Sequence, residues 1–521
     1  MKKSLLTILF VSIAACALAQ ESEHAVGGIR LTDSLSYKIE MQGGFARNKT
    51  PLWLNANKYG LSSLEEANGY VRAGIERPTD HLSNRRWGIG YGLDMAVATG
   101  HSATAIVHQA YGELRWLHGA LTVGSKEYPL NLKNNVVSSG SQTLGINARP
   151  VPQVRLALAD YWALPFANNW LHIKGHIAYG KTTDDNWQKD FTGEQWKYST
   201  GALYHSKAGF LKIGNPDKFV PLSLEVGLEM AAQFGGTVYL RQPDGTMQGF
   251  KGEGGLKGMW HAFLPGGADI GETTYQNAEG NQLGSWMLRV NWEEDTWIAG
   301  VYVDKYFEDH SALFQLDYDG YVEGDEWQQK KKRKYLLYDF KDWMIGFDLH
   351  FKYNRWLTDL ALEYIYSKYQ SGPIYHDHTV TIADHIGGID NYYNHYLYTG
   401  WQHWGMGIGN ALYRSPIYND DGQIVFKNNR FMAFHLGVAG RPNDNFSYRL
   451  MASYQDGLGT YAQPFTKVHH NMSVLLEAGW NFTRSWLRGV SVRGSLGADF
   501  GAILGNNQGV QITISKRGLL K

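Results

Sequence analysis

Over long stretches of the chain, apolar and polar residues alternate one by one. From Trp87 onward, Trp87, Ile89, Tyr91, Leu93, Met95 and Val97 fall on one side of an extended chain, with Gly88, Gly90, Gly92, Asp94 and Ala96 on the other. The stretch "DWMIGFDLHFKY" (342–353) repeats the pattern, as do Tyr37, Ile39 and Met41 against Lys38, Glu40 and Gln42, and Leu222 to Met230 against Ser223, Glu225, Gly227 and Glu229. A period of two marks β-strands with two unlike faces. Strands of soluble sandwiches average about five or six residues, whereas many of these segments reach about ten, enough to cross a bilayer at a tilt. Trp87, Trp116, Trp286, Trp356 and Trp480 lie near segment ends, where an interfacial aromatic girdle belongs.

Connections alternate short and long. "EEDT", "NR", "RPNDN" and "TRSWLRG" are short; residues 235–282, 307–341 and "DGLGTYAQPFTKVHH" (456–470) form long ones. Short turns on the periplasmic side and long loops outside are the habit of outer-membrane barrels. Following this register places strand starts near Ser36, Gly69, Trp87, Thr104, Ala120, Val151, Trp170, Gly201, Leu222, Leu283, Thr296, Asp342, Arg355, Asn429, Asn445, Asn471, Gly489 and Gly509. The predicted fold is all-β: a transmembrane antiparallel barrel of about 18 strands, both termini periplasmic.

Composition agrees. The chain has 60 Gly, 18 Trp and 32 Tyr, and its 49 basic residues balance 49 acidic ones, so no net charge points to nucleic acid. After the first twenty residues no stretch approaches the roughly 20 apolar residues of a spanning helix. Lys2 and Lys3, the apolar run 5–15 and Ala17-Leu18-Ala19 predict a secretory signal over 1–19, with 20–521 as a single barrel domain. Cys16, the one cysteine, leaves with that signal, or becomes a lipidated first residue if Ile13-Ala14-Ala15-Cys16 serves as a lipoprotein box. Either route leaves no intrachain disulfide.

Chemistry concentrates inside the barrel and in the loops. The predicted inner face mixes signs, with Lys38, Glu40, Arg72, Glu113, Lys174, Arg289, Asp348, Glu363, Arg449, Glu477 and Asp499, which suits a filled lumen and a water-filled one equally. "PLWLNANKYGLSS" (51–63) falls between the first two strands, at the outer end or in the lumen. It joins Trp53 and Tyr59 to Asn55 and Asn57, while "NYYNHYLYTGWQHWG" (391–405) joins Tyr392, Tyr393 and Trp401 to His403 and several amides. Sugars present apolar C–H faces beside hydroxyls, so aromatic rings next to amides are what a carbohydrate site needs; aromatic packing uses the same residues. The basic run Lys330, Lys331, Lys332, Arg333 and Lys334 would meet anionic polysaccharide or lipid phosphates, or stay solvated. His376-Asp377-His378 offers no assignable third ligand, so no metal or other cofactor is expected, and no Ser–His pair stands out as a hydrolase would need.

Several segments resemble the Wzi-type capsule-assembly family of outer-membrane proteins. They are Leu52-Trp53-Leu54 with the following Asn57 to Leu61, "NARPVPQVR" (147–155), "YHSKAGFLKIG" (204–214), "EGNQLGSW" (279–286), "FEDHSA" (307–312), "EYIYSKYQSGPIYHD" (363–377), and 391–405 followed by "GIGNAL". The resemblance implies a non-enzymatic 18-stranded lectin that holds capsular or exported polysaccharide at the cell surface, among outer-membrane lipids and lipopolysaccharide and in reach of export machinery. Taken with the aromatic–amide pattern, these segments nominate Trp53, Asn55, Asn57, Tyr59, Arg149, Gln153, Gln370, His376, Asp377, Tyr392, Tyr393, Trp401 and His403 as polysaccharide contacts. A diffusion channel for sugars or other nutrients is the competing expectation. Two departures stand out: "ITISKRGLLK" lacks the terminal aromatic usual for barrel insertion, and no amphipathic helix is visible for the periplasmic plug of some members.

Overall fold

The computed structural model describes residues 25–26, 29–32, 34–79, 86–264, 280–308, 320–321, 324–326, 328–331, 341–370 and 390–520. The signal segment 1–19 with Cys16, and His376 to His378, lie outside them. Of the basic run, Lys330 and Lys331 are described, pairing with Tyr321 and Gly320.

Eighteen antiparallel strands close into one barrel. The first six are β1 (Ser36–Arg47), β2 (Ala67–Arg77), β3 (Trp87–Thr99), β4 (Ala105–Trp116), β5 (Gly119–Ser125) and β6 (Gln153–Ala163). They continue as β7 (Leu171–Lys181), β8 (Leu203–Ile213), β9 (Leu222–Phe234), β10 (Asn281–Glu293), β11 (Trp297–Glu308) and β12 (Trp343–Phe351). The last six are β13 (Asp359–Tyr366), β14 (Phe431–Gly440), β15 (Phe446–Gly459), β16 (Pro464–Asn481), β17 (Val490–Gly501) and β18 (Asn507–Leu519). The number matches the one that alternation predicts. β18 pairs with β1 from Gln508↔Arg47 to Leu519↔Ser36, so the C-terminal segment closes the barrel without a terminal aromatic.

One expected connection is wrong. "DGLGTYAQPFTKVHH" is not a long loop: β15 runs to Gly459, β16 begins at Pro464, and Thr460 backbone N–H donates to Gln463 O at 3.2 Å across a tight turn. The two strands stay paired past the bilayer, where the demand for an apolar outer face lapses and alternation fades.

Where alternation is strict, its apolar side faces out. Ile39, Met41, Val71, Leu93, Val123, Leu156, Leu450, Leu476, Leu496 and Ile512 are all exposed, forming the lipid-facing belt. Trp87, Trp116, Trp170, Trp292, Trp356, Trp480 and Trp486, also exposed, gather at the short-turn end. Trp286 differs, lying well inside β10 opposite Leu228. Among the described residues no helix is long and apolar enough to cross a membrane.

The polar side faces a lumen that three inward-folded segments fill: 48–66 after β1, 126–152 after β5 and 390–430 before β14. The main buried cluster is therefore inside the barrel, where Trp53, Tyr204, Tyr306, Tyr392, Tyr393, Trp401, Tyr413, Phe426 and Phe431 pack together. No long helix builds this plug. Its only helix in the first segment is α1 (Leu52–Asn55), a single turn.

The lipid-facing position of Leu496 gives a direct check. Leu496→Arg places a cation near the midplane and should lower folding stability in lipid vesicles by about 2–4 kcal/mol, read from urea titration of the folded, heat-modifiable band. An unchanged titration would put β17 outside the bilayer.

Candidate functional site

The barrel wall carries carboxylates that would be costly to bury alone. Some, such as Asp348 beside Arg289, are paired within the wall; five others are met by donors from the inward segments. Asp499 on β17 accepts the Leu52 backbone N–H at 3.3 and 3.1 Å. Glu363 on β13 accepts Ser138 Oγ at 2.5 Å and the Ser139 N–H at 2.8 Å, besides the hydroxyl of Tyr302 at 2.5 Å. Lys133 pairs with Asp304 at 2.6 Å with both side chains fully buried, and the Gln142 N–H donates to the same carboxylate at 3.2 Å. Glu229 takes Asn131 Nδ2 at 2.8 Å, and Glu308 takes the Tyr393 N–H at 2.5 Å.

Residues 51–63 fold into the lumen. Leu54 and Pro51 lie against Gly497 and Gly509 of adjacent strands; a Cβ at Gly497 would come within 2.7 Å of Leu54 Cγ. Trp53 is buried, donates Nε1–H to Ser453 Oγ at 3.2 Å and lies 4.9 Å from the His435 ring. Asn55 is buried and donates to the Tyr418 hydroxyl at 3.3 Å. Asn57, at φ +55°, donates Nδ2–H to Ser139 O at 3.1 Å. Tyr59 donates its hydroxyl to Tyr128 O at 3.1 Å, and burial raises its pKa.

The 391–405 run is likewise interior. Tyr392 and Tyr393 are fully buried, with Tyr306 edge-on to both at 4.7 and 5.4 Å and Tyr413 at 4.1 Å from Tyr393. Trp401 stacks on Tyr204 at 5.7 Å and donates Nε1–H to Thr143 O at 2.8 Å. His403 is fixed between Arg149 O at 2.8 Å and the Thr183 N–H, which donates to Nε2 at 3.1 Å. That pair requires the neutral ring, and burial lowers its pKa accordingly. Gln370 is fully buried and accepts the Tyr392 N–H at 3.3 Å. In this arrangement the rings of Trp53, Tyr392, Tyr393 and Trp401 present no free face to a ligand, because protein covers them.

Three of the predicted contacts, Tyr59, Arg149 and Gln153, do meet around open space. With β4 to β8 they line a cavity of about 350 Å³ that runs from the plug to Arg115 and His118 at the short-turn end. Five cationic residues line it (Arg115, Lys126, Arg149, Arg155, Lys174) against three carboxylates, Glu113, Glu127 and Asp160. Lys126 is paired with Glu113 at 2.5 Å. Arg155 instead lies over the Tyr128 ring at 3.9 Å, and Lys174 sits 5.0 and 5.1 Å from the Tyr161 and Phe210 rings. Arg149 stacks on Trp404 at 4.1 Å and reaches Ser102 Oγ at 3.3 Å; burial lowers its pKa, Asp184 opposes, and it stays cationic at neutral pH. Arg155 and Tyr128 were not among the expected contacts, although Arg155 ends the "NARPVPQVR" segment and strand parity turns it inward with Gln153.

At the outer end lies a second group of aromatics. Trp404 donates Nε1–H to Thr183 Oγ1 at 3.2 Å, next to α2 (Asp185–Thr192), where Trp187 stacks on Phe191 at 4.8 Å. Lys197 Nζ ties the adjoining loop to His395 O at 2.6 Å and Tyr396 O at 3.0 Å, leaving Trp196 and Tyr396 exposed.

No protein family and no curated protein matches the sequence. Among solved structures, the chain is similar to Wzi of Escherichia coli, a carbohydrate-binding β-barrel involved in group 1 capsule assembly, at 13% identity and TM-score 0.54, over 93% of this chain and 84% of that one. It is also matched to Pseudomonas aeruginosa OprD at 9% identity and TM-score 0.43 (94% and 96% covered), and to OccK3 of the same organism at 11% and 0.44 (94% and 97%). The fold is that of an outer-membrane barrel. At these identities the likeness extends to the fold alone.

Two substitutions probe the plug. Glu363→Ala removes the acceptor of three donors, at about 1–3 kcal/mol for each left unpaired. It should leave a heat-modifiable barrel but raise single-channel conductance in planar bilayers; an unaltered trace would show that Glu363 does not hold the plug. Trp53→Ala should cost about 3–5 kcal/mol of plug stability, seen as proteolysis within 48–66 while the wall resists.

Proposed function

We propose that this protein is a plugged outer-membrane barrel that binds exported polysaccharide and holds it at the cell surface, without catalysing a reaction. The filled lumen carries this reading. A diffusion channel depends on a continuous water path, and here three segments cross the lumen on buried carboxylates and a dry aromatic cluster. A surface binder has no such need, and a rigid plug keeps its outer loops in register.

The outer aromatics supply contacts suited to a glycan. Trp404, Tyr396 and Trp196 stand beside Thr183, Asn394 and Lys197, so C–H faces and hydroxyls are both matched. The Wzi barrel, whose fold this chain shares, is carbohydrate-binding, which is consistent with the same use of the scaffold. Polysaccharide is thus the partner, with outer-membrane lipid around the wall and export machinery as its source.

The test compares cell-bound with released polysaccharide in a strain lacking the gene, with and without its restoration. Loss should shift polysaccharide into the medium while total production stays the same. Restoration with Trp404→Ala and Tyr396→Ala should restore retention only in part, since each lost ring weakens binding by roughly 2- to 12-fold, from about 0.5–1.5 kcal/mol. Unchanged distribution in the deletion strain would refute retention; steady conductance of the purified wild-type barrel would favour the channel.

A further inference from the structure

The luminal cavity contains polar atoms that the protein itself does not satisfy. The Tyr128 hydroxyl, Gln153 Oε1 and Arg149 Nε are each buried without a hydrogen-bond partner among the described residues. Beside them, the Arg155 guanidinium is held by the Tyr128 ring and, among the described residues, has no carboxylate at ion-pair distance. Gln153 and Arg155 are two residues apart on β6, hence on the same face, and Arg155 covers Tyr128 from above. One donor-rich plane, one amide oxygen and one hydroxyl therefore converge on a single wall of the cavity. Water would satisfy the neutral atoms, but the lining itself would still hold more cations than carboxylates.

We propose that this cavity is a binding site for one anionic sugar residue, entered from the short-turn, periplasmic end. The anionic group, a carboxylate or a phosphate, lies against Arg155, whose planar fork suits both, and ring hydroxyls reach Gln153 Oε1 and the Tyr128 hydroxyl. Lys174, two residues from His176 on β7, adds long-range attraction. The direction of entry follows from exposure: His118, Ala159 and Asp160 at the lower edge are exposed, while Tyr204 at the upper edge is buried beneath Trp401. The site is distinct from the outer aromatics, and it deepens the polysaccharide reading by assigning charge to the glycan and a periplasmic encounter before surface retention.

The experiment uses the full-length protein in detergent, with glucuronate, glucose 6-phosphate, glucose and inorganic phosphate as calorimetric titrants. Glucuronate or glucose 6-phosphate should bind roughly tenfold or more tightly than glucose and than inorganic phosphate, as charged hydrogen bonds predict, and whichever of the two binds tighter identifies the anionic group. Arg155→Gln should abolish that preference, Arg155→Lys should keep part of it, and Lys174→Gln should weaken it and its salt dependence. Ala159→Cys, labelled with a membrane-impermeant maleimide, should react only after the outer membrane is permeabilised and be protected by the bound sugar. Equal affinity for glucose and the acidic sugars, equal affinity for inorganic phosphate, or an Arg155→Gln variant that folds and binds unchanged would each overturn the proposal. Because retention on cells is measured separately, a protein that retains polysaccharide yet shows no anionic preference refutes this site alone.

Discussion

The structure depends on the neutralisation of carboxylates that face the inside of the barrel. Asp304, Glu229, Glu363, Glu308 and Asp499 stand on four different strands, Asp304 and Glu308 sharing β11, and each receives N–H or O–H donors from a segment that enters the lumen. With water at those positions the wall would still close, but the segments would have no fixed seat. With the donors in place, the plug is held to β9, β11, β13 and β17 by bonds to charged acceptors, which are stronger than neutral ones. The aromatic cluster can then pack dry between them, since its own polar ends, such as Trp401 Nε1 and the Tyr392 hydroxyl, also find partners.

This arrangement separates two tasks along the molecule's long axis. Densely packed rings and hydrogen-bonded segments occupy the middle. Arg155, which lies over an aromatic ring rather than beside a carboxylate, marks the cavity side, and the exposed rings of Trp196 and Tyr396, with Trp404 beside them, mark the other. Arg149 belongs to both layers, because its side chain stacks on Trp404 while its residue lines the cavity roof.

The wall was legible in the sequence because strand alternation is a local signal imposed by two different solvents. Leu93 and Asp94 could only be placed one way, and starts near Trp87, Leu222 and Asn445 lie within a few residues of those observed. The plug was not legible, because its contacts join residues far apart in the chain, 82 positions for Asn57 with Ser139 and 85 for Tyr393 with Glu308. The runs at 51–63 and 391–405 have the composition of a sugar platform for a physical reason: stacking rings and amide hydrogen bonds build a polar protein interior as well as they hold a glycan. Parity did turn Lys174 inward, but it could not show that Glu113 is taken by Lys126 while Arg155 is left with an aromatic ring. The tight turn at Thr460 was hidden because β15 and β16 outrun the bilayer that enforces the pattern.

The docking of α1 ties the two ends of the chain together in time. Its glycine seat at Gly497 and Gly509 and its acceptor Asp499 belong to β17 and β18, the last strands to be synthesised, while α1 itself follows directly on β1, the first. The seat exists only once β18 has paired with β17, which sets Gly497 opposite Gly509. An unfinished barrel, or one truncated near its C-terminus, thus has nowhere to lodge its first loop, and plugging of the lumen becomes a built-in sign that assembly is complete.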